Sequence, residues 1–202
     1  MDRGRLLQYG GLAAGVILIL FGVGALVLGI DARRTVRDEL TREQIVGSPD
    51  MSPAAIEASV QEAGLEDVEI PDCDVAEHEI TTGDDARCFS QYMRIHALES
   101  SGGLTYAQMG RFVSASDPSD PAGTNDADAA AKDEEGEPVA NAARNTWVTE
   151  TALSTALNMS YMAEQLSLFS IVVGIALILA GIGFVVLALA VFGRRDRAVT
   201  TG

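Results

Sequence analysis

The sequence predicts an all-α membrane protein: a hairpin of two transmembrane helices with helical extensions and a small, mainly helical extracytoplasmic domain. Three observations carry that expectation. Residues 12–30 and 166–192 contain no Asp, Glu, Lys, Arg or His, and each run can cross about 30 Å of hydrocarbon at about 1.5 Å per residue. The segment between them, 31–165, is polar and acidic. Helix start and stop signals recur within it.

Charge is unevenly placed. The net charge is −15. Asp2, Arg3, Arg5, Arg194, Arg195, Asp196 and Arg197 lie outside the middle segment and sum to +3, so that segment carries −18. Such a field repels the phosphates of nucleic acids and anionic lipid head groups, and it favours solvation, cations or basic proteins. No nucleic-acid partner is expected, and the expected surroundings are the lipid bilayer.

Arginines at both ends favour a cytoplasmic N-terminus (1–11) and C-terminus (193–202), with 31–165 extracytoplasmic in a bacterial plasma membrane. Arg33, Arg34, Arg37 and Arg42 on the loop side of the first span oppose this. The second span has no cation within about 20 residues on its loop side, and long loops translocate largely regardless of charge. The first apolar run exceeds the core of a cleaved signal peptide and is followed by a poor cleavage site, so an uncleaved anchor is expected.

Cys73 and Cys88 are the only cysteines. An even pair in an oxidising compartment points to a disulfide, two separate thiols being the alternative. Neither a CxxC motif nor zinc spacing is present.

The elements follow in order. The first span runs on through DARRTVRDELTREQIV, where Arg34, Asp38 and Arg42 are spaced by four, until Gly47 and Ser48-Pro49 end it. Ser52 and Pro53 open a helix that stops at Gly64, with Ile56, Val60 and Ala63 as its stripe. Thr82 and Asp85 form a capping box before a helix with Phe89, Met93 and His96 or Ala97 on one face. Thr105 and Gln108 cap a further short helix, TYAQMGRF. Residues 114–138 have no aromatic residue and no aliphatic one larger than alanine, so a disordered or loosely held loop is expected. From Asn145 a helical stretch runs into the second span, with Trp147, Leu157 and Tyr161 as packing candidates among small residues.

Candidate chemistry is sparse. Gly11 and Gly15 form GxxxG, a spacing that lets membrane helices approach closely. The other span glycines allow the two spans of one chain to pack together. Asp72, Asp74, Glu77, His78 and Glu79 cluster near one another, yet read as a solvated loop rather than a metal site. Asp126, Asp128 and Glu137 match a calcium loop at three positions, but Ala130 and Ala131 stand where a ligand and a glycine are needed. No HExxH, GxSxG, GxGxxG or P-loop pattern occurs, and no catalytic, cofactor-binding or metal-ligating residue is assigned. Only Ser167 and Ser170 intrude on a span, too little polarity for a transport path.

The stretches TREQIVGSPDMSPAAI, GLTYAQMGRF and NTWVTETALSTALNMSYMAEQLSLFSIVVG resemble a group of small two-span membrane proteins from actinobacteria. The resemblance covers most of the chain and implies the same two-span plan. Some members carry the name of a ring-opening dioxygenase small subunit. That chemistry needs iron held by two histidines and a carboxylate; His78 and His96 are the only histidines here, and no residue carries over as catalytic. The expectation is a non-enzymatic accessory or interaction subunit of the cell envelope, in contact with another envelope protein or a second copy. An external sensor or cation-binding module is the alternative, and a ring-opening dioxygenase subunit the remote one.

Overall fold

The computed structural model describes residues 3–192; the arginine-rich tail from 193 on lies outside them. The architecture is all-α. Two long apolar helices, α1 (Arg3–Glu43) and α4 (Ala142–Leu187), pack together, and α2 (Pro53–Glu62) and α3 (Gly83–Ser100) belong to a small middle region. A π turn, Ala188–Phe192, follows α4. The chain divides into two compact units, one built from residues up to Val36 and from Ala163 on, the other from Arg37–Met162.

In the first unit α1 and α4 run antiparallel on a ladder of small residues. Gly15 faces Gly181, Gly22 faces Gly174, and Gly29 faces the carbonyl of Ser167. A Cβ on Gly15 would lie 2.7 Å from the Gly181 oxygen, and one on Gly29 2.8 Å from the Ser167 oxygen. These contacts recur every seven residues on each helix, the period that keeps one seam facing a partner. The two apolar helices therefore pack backbone to backbone. Ser170 Oγ donates to the Ala25 carbonyl at 3.0 Å, so this hydroxyl within the apolar run is satisfied. Both helices are long and apolar enough to cross a membrane, and only 17% of each apolar window is buried. A core helix of a soluble protein would be mostly covered. Here Phe21, Leu28, Phe169 and Leu179 stay more than 60% exposed, a surface suited to lipid.

The second unit buries Met51, Ile56, Val60, Val75, Ile80, Tyr92 and Ile95. Helix α1 stops earlier than the expected Gly47. Gln44 takes a left-handed φ of 53°, and Ile45–Gly47 then runs extended, pairing with 76–80 through Ile80 N–H to Ile45 O at 2.9 Å and Gly47 N–H to His78 O at 2.9 Å. Gly47 is needed there: a Cβ would sit 1.8 Å from the Val75 carbonyl oxygen. Helix α2 starts at Pro53 and α3 at the Thr82–Asp85 capping box. The buried face of α3 is rotated from the expected one. Cys88, Tyr92 and Ile95 are buried, as is Ala97 of the expected face, whereas Phe89, Met93 and His96 are half-buried.

Two further expectations need correction. TYAQMGRF forms only a 3-10 turn, Tyr106–Gln108, because Gly110 enters an extended stretch that bonds to Ala122. Residues 114–138, expected to be disordered, follow a defined path. Phe112 bridges Thr124 and Ala140, Ser114 bridges Ala130, and Lys132 bridges Pro138. Composition correctly shows that little apolar surface is available. What organises the loop instead is local bonding: Asp117, Asp120, Asp126 and Asp133 each accept a backbone N–H two residues on.

Candidate functional site

The part of α4 within the second unit, from Ala142 to Met162, carries the most unusual surface. Asn141 starts it: Oδ1 accepts from the N–H groups of Ala143 (3.1 Å) and Arg144 (3.4 Å), satisfying donors that a helix start leaves free. The Asn141 Nδ2 donates to Gly110 O (3.1 Å) and Pro121 O (2.9 Å), fastening the 110–124 loop to the helix start.

One stripe of this stretch is covered. Trp147, Glu150 and Leu157 are at most 6% exposed. Trp147 packs with Ala97 and Met109, and its Nε1–H donates to Leu104 O at 2.8 Å. Arg94 lies over the Trp147 ring at 5.1 Å and Arg87 over the half-buried Tyr161 ring at 4.7 Å. The Glu150 carboxylate accepts from Ser154 Oγ at 2.8 Å. The Asn158 Nδ2 donates to Ser90 Oγ on α3 at 3.1 Å.

A neighbouring stripe is bare. Val148, Ala152, Thr155, Met159 and Met162 follow a four-three-four-three spacing, that of a helix-packing seam. Val148, Met159 and Met162 are 52%, 57% and 61% exposed. Glu150 is the single charged residue between Asn145 and Met162, and it is buried. In a chain of net charge −15, five turns of helix thus present a wholly uncharged surface.

The other candidates fall as follows. Gly15 lies in the helix ladder, and a Cβ on Gly11 would stand 3.1 Å from the Ala188 Cβ. Cys73 and Cys88 are joined in a disulfide, Cα to Cα 6.1 Å. Beside it the Tyr92 hydroxyl donates to Cys73 O at 2.6 Å; burial, then the Asp74 and Asp72 carboxylates, push its pKa up. Asp74 accepts from the Ala76 N–H, and His78 is exposed. Asp133 accepts from the Glu137 N–H. Among the described residues no three His, Cys, Asp or Glu side chains converge to hold a metal.

One trio has catalytic residue types without catalytic geometry. His96 Nε2 lies 3.1 Å from Asp50 Oδ2, and Ser48 Oγ donates to Asp50 Oδ1. The hydroxyl is bonded to the carboxylate, not to the imidazole, so it is not paired with a base. The Ser48 hydrogen bond, and less strongly the neighbouring His96, hold the Asp50 carboxyl below its ordinary value, against the opposing effect of burial.

Sequence reasoning singled out Trp147, Leu157 and Tyr161 but missed Asn141, Arg87 and Arg94. Asn141 had a signal, since an asparagine two residues after Val139 opens a breaker-free helical stretch. Comparison with family models, with curated proteins and with solved structures brings out no match.

Proposed function

We propose that the chain is a non-enzymatic, two-span protein of the bacterial plasma membrane, with cytoplasmic termini and an extracytoplasmic acidic middle region. Its work is association. The bare stripe of α4 docks a helix of another membrane or envelope protein, or of a second copy. The observation that carries this reading is the run from Asn145 to Met162, whose only charged side chain, Glu150, is buried. Elsewhere the middle region is dense in carboxylates, which keep a surface solvated. Exposed apolar residues at seam spacing, free of charge, mark a surface meant for contact. The disulfide is consistent with the oxidising side of the membrane, and the exposed apolar surface of the spans with lipid.

A photo-crosslinking residue placed at Val148 or Met159 in native membranes tests this. A discrete crosslinked species is expected, lost when the same residue replaces Asp128 on the acidic loop. A diffuse smear equal at all three sites overturns the reading.

A further inference from the structure

Helix α4 runs unbroken from Ala142 to Leu187 and carries two seams. Glu150, Leu157 and Glu164, seven residues apart, are buried by the rest of the chain. The bare seam flanks each of them two residues to either side: Val148 and Ala152, Thr155 and Met159, Met162 and Leu166, all exposed. Two residues are about 200° of helix, so the bare seam lies opposite the covered one and keeps that register. The same spacing continues through Phe169, Ala176, Ala180 and Gly183, also exposed, with Val173 half-buried among them. A Cβ on Gly174 or Gly181 would strike the α1 backbone, whereas one on Gly183 would meet nothing within 4 Å. Small residues on a free face of an apolar helix fit the close approach of another helix.

Charge says which helix. The positions beside the seam, where paired helices place the charges that choose a foreign partner, are Thr149, Thr151, Ala156, Asn158, Ala163 and Gln165, none of them charged. From Asn145 on, the charged residues of α4 are Glu150 and Glu164, on the opposite face. A helix that meets its own copy needs this arrangement, since any charge on the seam would face its like. Area says how far the contact runs. Residues 148–162 are about 21 Å of a helix about 10–12 Å wide, or roughly 200–250 Å² per copy, too little for a stable pair. Residues 148–183 give roughly 500–600 Å² per copy, about 1,100 Å² in total, which clears the ~1,000 Å² that a specific interface needs.

Resting on the association reading and the two-span topology above, we propose that the occupant of the bare seam is a second copy of this chain, in a parallel two-fold dimer along residues 148–183. Two copies inserted the same way in one membrane lay α4 against α4 in parallel, which brings each seam residue beside its own counterpart. Each α4 then lies between its own chain and its copy.

Full-length chains carrying two different tags are co-expressed and extracted in mild detergent. The two tagged copies should co-purify. Thr155→Glu in both, or Thr155→Arg in both, sets like charges against each other and should lower co-purification at least about tenfold. Thr155→Glu in one copy with Thr155→Arg in the other should restore it. In oxidised membranes Ala152→Cys, Thr155→Cys and Met159→Cys should each give a disulfide-linked dimer at least about tenfold faster than Leu153→Cys, which is exposed but off the seam, with its Cα atoms beyond bridging range. Cys73 and Cys88 are already joined and do not compete. Failure to co-purify, absence of the Glu–Arg rescue, or equal oxidation rates at Leu153 overturns the dimer. If the photo-crosslink at Val148 then still gives a discrete species, to a different protein, the dimer falls and association stands; if it gives none, both fall.

Discussion

Gly22 and Gly174 lie face to face across the helix pair: a methyl group on Gly22 would stand 2.7 Å from the Gly174 carbonyl oxygen, and one on Gly174 2.8 Å from that of Gly22. Both atoms are backbone, which cannot swing aside as a side chain can. Gly24, two residues away, has nothing within 4 Å of such a methyl. Gly22→Val should therefore separate the helices and destabilise the hairpin by about 1–3 kcal/mol. Gly24→Ala should stay within about 0.5 kcal/mol of the parent. Unfolding in mixed micelles by added dodecyl sulfate, followed by circular dichroism, checks both; equal effects would refute the ladder.

The disulfide makes a separate prediction. Cys73 and Cys88 are 15 residues apart, and closing a loop of that size restricts the unfolded chain by about 3 kcal/mol on the chain-entropy model. It also ties the segment that links α2 to Cys73 onto α3, next to the bond from Tyr92 to Cys73 O. The double variant Cys73→Ser, Cys88→Ser should lose stability on that scale. Thermal unfolding followed by Trp147 emission should then become insensitive to reductant, while the parent's midpoint falls on reduction.

How much of this was legible in the chain differs by element. The two apolar runs, the Ser52–Pro53 start and the Thr82–Asp85 box are local signals, and the structure places helices there. The glycine ladder was present as a seven-residue spacing, Gly15, Gly22, Gly29 and Gly174, Gly181. The shorter GxxxG at Gly11 and Gly15 drew attention from it. The 114–138 loop was misread because its order comes from aspartates bonding their own backbone and from Asn141, a long-range clamp that composition does not register. The pair Arg33–Glu164, 3.0 Å apart with Glu164 buried, joins residues 131 apart. No spacing rule finds such a pair.

Acid should act through Asp50. Its carboxyl is held below the ordinary 3.8, first by the Ser48 hydrogen bond and then by His96. A group whose folded pKa is depressed contributes stability above its unfolded pKa and loses it as pH falls through the folded one. The contribution should thus be complete above about pH 4 and fade below it. Asp50→Asn should flatten that part of the stability curve relative to the parent. Ser48→Ala should raise the Asp50 midpoint more than His96→Gln does, read by carboxyl carbon NMR between pH 2 and 6. The reverse order would show that the ion pair, not the hydroxyl, governs the group.

Asn141 joins two functions that one atom each performs, and they can be separated. Its Oδ1 caps α4, and its Nδ2 holds the carbonyls of Gly110 and Pro121. Asn141→Ala removes both, losing a cap worth about 1 kcal/mol and leaving carbonyls unpaired in a buried setting at about 1–3 kcal/mol. Asn141→Asp retains the acceptor and adds a negative charge at the helix start, which the helix dipole favours. It has no donor for the two carbonyls and sets a carboxylate against their oxygens. Aspartate should therefore keep the amides of Ala143 and Arg144 protected from hydrogen exchange while the 110–124 segment opens to protease. Alanine should lose protection at both. If aspartate left the loop as resistant as the parent, the amide nitrogen would not be what holds that loop in place.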